Sequence, residues 1–101
     1  MLTIEKIKEA ETLTVKLTGQ MDTSNAHEFT EALEGELTDV MELRVDMEEL
    51  EYTTSSGLRA LLEAYQELDE KDGRMVLVRV NEEIREILNV TGFDKFLDIE
   101  P

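Results

Sequence analysis

Cysteine is absent from this chain, and histidine occurs once, at His27. The first absence excludes a disulfide framework and every thiolate metal site. The second leaves no histidine cluster for a transition metal, so neither a metal nor another cofactor is expected. Proline is nearly missing as well, with Pro101 the only one, and no Gly/Ser-rich or low-complexity stretch marks a linker. Apolar runs stay short, as at Met75-Val76-Leu77-Val78, far below the roughly 20 residues that cross a bilayer. The start, Met1-Leu2-Thr3-Ile4-Glu5, lacks a basic segment followed by an apolar one. These features lead us to expect a cytoplasmic protein with no membrane partner. Positive charge is scarce too: 25 acids against 10 bases give a formal net charge of -15. Such a surface repels phosphate backbones, which makes nucleic acid a poor partner.

What is present is enough for one core. The chain has 101 residues, 41% of them hydrophobic and periodically arranged, so residues 1–101 are expected to form one domain that folds without staples. Leu2 to Ile7 and Leu13 to Thr18 alternate apolar and polar residues and predict two strands joined by a hairpin at Lys8-Glu9-Ala10-Glu11-Thr12. Ala26, Phe29, Leu33 and Leu37 recur at helical spacing after cap candidates in Thr23-Ser24-Asn25. Val40 to Met47 returns to a period of two, and Glu48 to Thr54 reads as irregular. A second helix is predicted from Ser56 to Lys71 on the stripe Leu58, Leu61, Leu62, Tyr65 and Leu68, ending at Asp72-Gly73.

Met75 to Val80 reads as a strand buried on both faces, and Glu82 to Val90 as a helix that stops at Thr91-Gly92. Phe93, Phe96, Leu97 and Ile99 are expected to dock back on the sheet. The order β-β-α-β-α-β-α implies an α/β fold: an open, mostly parallel sheet of four or five strands with helical crossovers. In such sheets the loops at the carboxyl ends of parallel strands form the usual binding site. Here those loops are Gly19 to Asn25 and Glu48 to Ser56.

The most unusual stretch is Tyr52-Thr53-Thr54-Ser55-Ser56-Gly57-Leu58, four hydroxyl residues and a glycine opening an amphipathic helix. It has two readings. Thr54, Ser55 or Ser56 can cap the helix by accepting from a free backbone N–H. Alternatively, one of them carries a phosphate, which the N–H groups and positive dipole end of a helix start tolerate. Asp22, followed by Thr-Ser-Asn, reads by itself as a turn or capping residue. His27 has no second ligand or nucleophile beside it.

Four stretches together resemble the STAS domain family, the anti-sigma-factor antagonists of bacteria. They are Leu17-Thr18-Gly19-Gln20-Met21-Asp22-Thr23, Leu43-Arg44-Val45-Asp46-Met47, Tyr52 through Leu62, and Val90-Thr91-Gly92-Phe93-Asp94-Lys95-Phe96. The resemblance implies an antagonist that binds an anti-sigma factor, itself a serine kinase, and is inactivated when that kinase phosphorylates it. A serine phosphatase is a further candidate partner. The family acceptor is the first serine of Asp-Ser-Ser-Gly, which aligned on Gly57 is Ser55, with Thr54 and Ser56 as alternatives. The family loop Gly-x-(Leu/Met)-Asp falls on Gly19, Met21 and Asp22. The implied partner surface comprises Gly19, Met21, Asp22, Thr23, Thr54, Ser55, Ser56, Gly57 and Arg59. Thr54 stands where the family has Asp, so this position can cap but carries no charge.

Other classes fit less well. No nucleophile with a base, no carboxylate pair in a pocket and no phosphate cradle points to an enzyme. An acidic carrier protein bearing a prosthetic arm on a helix-start serine would be all-helical, against the strand-like segments here. A scaffold with the same fold and an unmodified Ser55 is the closer alternative.

Overall fold

Alternation of apolar and polar residues places Leu2–Glu9 (β1) against Thr12–Met21 (β2) as an antiparallel pair across a tight turn in which Ala10 takes a positive φ of 55°. The computed structural model describes residues 1–101. After β2 come α1 (Ala26–Leu33), β3 (Glu42–Thr53), α2 (Ser55–Asp69), β4 (Arg74–Val78), α3 (Glu82–Thr91) and β5 (Asp98–Ile99), with a 3-10 turn over Phe93–Lys95 before β5. The strands form one sheet in the order β1-β2-β3-β4-β5. Every pairing after the first is parallel, so a helix covers each crossover. This is the expected open α/β sheet, and it excludes the all-helical carrier.

One sheet face carries Leu13, Val15 and Leu17 of β2, Leu43, Val45 and Met47 of β3, and Met75 and Leu77 of β4. With Phe29 and Leu33 of α1, Leu58, Leu61 and Leu68 of α2, and Ile84 and Leu88 of α3, they make up most of a cluster of 24 buried residues. Alternate strand positions point the other way. There Arg44 pairs with Glu42 and Glu100, Arg74 with Glu42 and Asp98, and Arg79 with Asp46 and Glu48. Residues 75–78 of β4 are buried on both faces, as its apolar run predicts.

Strand and helix ends shift by one to three residues elsewhere, as where β2 runs on to Met21 and α2 spans Ser55–Asp69, and four further features depart from expectation. α1 stops at Leu33, and Gly35, with φ 76°, turns the chain so that Leu37 reaches the core from outside the helix. Lys6 donates to the Ala32 carbonyl and Lys71 to that of Leu37, satisfying this turn. β3 continues through Glu48–Thr53, where alternation fails, because backbone pairing to β2 carries it across register shifts at Lys16/Thr18 and Gly19/Gln20. β4 ends at Val78 because Arg79 adopts a left-handed φ of 51°. In the C-terminal tail Leu97 is buried and Phe93 and Ile99 pack at the core margin, whereas Phe96 stays 62% exposed. No helix is long and apolar enough to cross a membrane.

Candidate functional site at the ends of β2 and β3

The parallel pairing of β2 and β3 brings their carboxyl ends together, so Gly19 to Asn25 and Tyr52 to Arg59 lie side by side. Gly19 has φ 101°, and a Cβ there would collide with the Met1 carbonyl, which accepts from Gln20 N at 3.0 Å. The buried Met21 accepts from Thr54 N through its carbonyl at 3.1 Å, closing the gap between the two strand ends.

Asp22 braces the next turn. Its Oδ1 accepts from Ser24 N at 2.9 Å and from Ser24 Oγ at 2.6 Å. The Ser24 hydroxyl, then its N–H, hold the Asp22 carboxyl below the usual carboxylate range. Asn25 occupies the cap position of α1 but spends its amide on the loop. Its Oδ1 accepts from Asp22 N at 2.8 Å, and its Nδ2 donates to Gln20 O at 2.9 Å. Thr23 is exposed, and its hydroxyl lies 2.9 Å from that of Ser56.

The four hydroxyls opening α2 have four different environments. Thr53 is buried and donates to the Thr54 carbonyl at 3.3 Å. Thr54 is the cap residue, yet its side chain makes no capping bond, and its Oγ1 is buried without a partner. Ser55, the first helical residue, is exposed, and Ser56 is half-buried against Thr23. Capping by these hydroxyls, one of the two sequence readings, is therefore not what they do. Gly57 is required by space: a Cβ would lie 3.0 Å from the Met21 carbonyl and collide with the Thr53 hydroxyl. Arg59, one turn beyond Ser55, is exposed.

The structure thus gathers Gly19, Met21, Asp22, Thr23, Thr54, Ser55, Ser56, Gly57 and Arg59 at one end of the sheet. The pattern of residues 2–101 matches the STAS domain model. This chain belongs to the STAS domain family. Among similar proteins, the anti-sigma-B factor antagonist of Listeria monocytogenes is 26% identical over 98 residues, which span 94% of this chain and 86% of that protein. BtrV of Bordetella bronchiseptica, also named for anti-sigma factor antagonism, is 32% identical over 94 residues, or 91% of this chain and 78% of its own. The Bacillus protein SpoIIAA shares the fold in its unphosphorylated form at TM-score 0.71 and 21% identity, covering 100% of this chain and 88% of SpoIIAA. Its phosphorylated form matches at TM-score 0.65 and 20% identity, covering 100% of this chain and 92% of that one.

Around these strand ends, three residues make or offer contacts that sequence patterns alone do not specify. Tyr52, one residue before the end of β3, is 53% exposed. Gln20 donates to Glu51 Oε1 at 2.5 Å, tying the two strand ends by side chains. Asn81 caps α3 through Ile84 N at 3.0 Å while its Nδ2 donates to the carbonyls of Met47 at 3.0 Å and Leu50 at 2.8 Å. An Asn just before Glu82-Glu83-Ile84 is a readable cap signal. Its clasp on the irregular stretch of β3 is not, because that contact spans more than 30 residues.

Proposed function

We propose that this STAS domain is an anti-sigma-factor antagonist, a cytoplasmic binding module that captures an anti-sigma factor with serine-kinase activity and is switched off by phosphorylation at Ser55. The observation that carries this reading is exposure: among Thr53, Thr54, Ser55 and Ser56, only Ser55 is exposed. A kinase needs an accessible hydroxyl; Thr54 Oγ1 is buried and the Ser56 hydroxyl faces Thr23.

Electrostatics supports the same choice. The first-turn N–H groups of a helix have no intrahelical acceptors, and its dipole is positive there. α1 and α3 neutralise that end with Glu28 and with Glu82 and Glu83, whereas α2 has no acid in its first turn despite its 15 residues. Phosphate on Ser55 supplies the missing negative charge and faces Arg59 at the i+4 position. The helix start therefore accepts the modification, and the added charge acts on the docking partner. Names of relatives support the antagonist role, and the phosphorylated form of SpoIIAA supports the switch. A serine phosphatase would return the module to its binding form.

The test is phosphate incorporation followed by intact-mass spectrometry, with a serine-kinase anti-sigma factor and ATP. Wild-type protein gains one phosphate and Ser55→Ala gains none. Equal incorporation into Ser55→Ala removes the site assignment. The scaffold reading is favoured by the uncharged Thr54, and it is the outcome if wild-type protein binds such a factor and gains no phosphate.

A further inference from the structure

α1 has 8 residues and α2 has 15, and the two helices meet where Phe29 and Leu33 of α1 lie beside Ala60 and Ala64 of α2. The chain turns away at Gly35, whose absent Cβ would meet nothing within 4 Å. What remains is a hollow of about 210 Å³ floored by Phe29, Leu33, Ala60 and Ala64 and rimmed by Glu34, Glu63 and Glu67. It exceeds the ~150 Å³ apolar cavity that takes up a benzene ring, so it has room for a leucine or phenylalanine side chain.

The rim charges are not neutralised within the chain. Eight ion pairs are present, and none uses Glu34, Glu63 or Glu67. No basic residue lines the hollow. The two lysines that hold this turn, Lys6 and Lys71, are directed at the carbonyls of Ala32, Leu37 and Thr38. An apolar floor between unpaired carboxylates is complementary to an amphipathic segment that has an aliphatic stripe flanked by lysine or arginine.

We infer that the α1–α2 hollow is a second docking site, for a basic amphipathic helix of a protein partner. One apolar side chain of that helix enters between Leu33 and Ala64, and its cations pair with Glu63 and Glu67, which lie one turn apart on α2. The site is independent of the Ser55 switch.

A synthetic helical peptide with leucines at i, i+3, i+4 and i+7 and lysines elsewhere is the probe, with binding followed by fluorescence anisotropy and amide shift mapping. Wild-type protein binds it with shifts concentrated on residues 29–37 and 60–67. Ala64→Leu fills the hollow without changing charge and weakens binding at least about tenfold. The double variant Glu63→Gln/Glu67→Gln also weakens it and flattens its salt dependence, which carries the test if Ala64→Leu does not fold. Glu5→Gln/Glu9→Gln, on β1, leaves affinity unchanged, and so does Ser55→Asp, so failure here is distinct from failure of the switch. Unchanged affinity in folded Ala64→Leu, or shifts spread over the whole acidic surface, would overturn the inference.

Discussion

The Thr23 and Ser56 hydroxyls lie 2.9 Å apart and join the β2–α1 loop to the first turn of α2. The bond bridges 33 residues of sequence and fixes the loop that Asp22 and Asn25 brace against the helix bearing Ser55. It is solvent-exposed, so its net contribution to stability is at most ~1 kcal/mol. Thr23→Val should therefore leave the urea midpoint nearly unchanged while speeding amide exchange at Ser24 and Asn25. A loss above ~2 kcal/mol would show that the contact belongs to the core rather than to the site.

Gly57→Ala should destabilise the domain by ~1–3 kcal/mol, because the new methyl group enters space held by the Met21 carbonyl and Thr53. Gly35→Ala is the contrast. It meets no atom within 4 Å, so only its left-handed φ of 76° costs, about 1 kcal/mol. Denaturant unfolding of the two variants checks the order, and equal losses would contradict the packing argument.

Thr54 occupies a cap position without capping, its hydroxyl oxygen buried and unpaired. Replacing an unsatisfied buried hydroxyl with a methyl group of the same shape relieves desolvation. Thr54→Val is therefore neutral or raises Tm, whereas removal of a working cap would cost ~1 kcal/mol. A fall in Tm would mean that the hydroxyl finds a partner in solution.

Asp46 is 6% exposed on the sheet face opposite the helices, and Arg79 donates to its Oδ2 from Nε at 3.1 Å and from a terminal nitrogen. Burial pushes its pKa up, but the Arg79 hydrogen bonds, the Glu48 N–H and the Arg79 charge outweigh burial and hold the carboxyl below the ordinary range. A pKa lower in the folded than in the unfolded chain stabilises the fold above the unfolded value, about 3.9. That contribution is lost as pH falls through the folded value. Wild-type stability should therefore drop more steeply than that of Asp46→Asn from about pH 4 downward. Parallel curves in urea titrations at successive pH values would rule the pair out as the cause.

The fold was legible because its elements are carried by local periodicity: alternation in β1 and β2, helical spacing in α2 and α3, and an unbroken apolar run in β4. Misreadings occurred where tertiary contacts override pattern. The residues of β3 from Glu48 onward show no alternation, yet pairing with β2 and the Asn81 clasp keep them extended. Leu37 continues the α1 stripe but reaches the core after a turn at Gly35. Phe96 looks like a core residue by type and lies outward. At the site, the hydroxyl cluster and Gly57 stood out as a motif. Which hydroxyl is free could not be read, because that depends on Met21, Thr23 and the approach of α2 to β2, all distant in sequence.

The most direct test of the central claim is to measure affinity for a serine-kinase anti-sigma factor by calorimetry, comparing wild-type protein with Ser55→Asp and with the phosphorylated form, alongside circular dichroism of each. Negative charge at the exposed first residue of α2 should weaken binding by about 5- to 150-fold while the spectrum and Tm stay those of the wild type. Undiminished binding by a folded, stoichiometrically phosphorylated protein would contradict it.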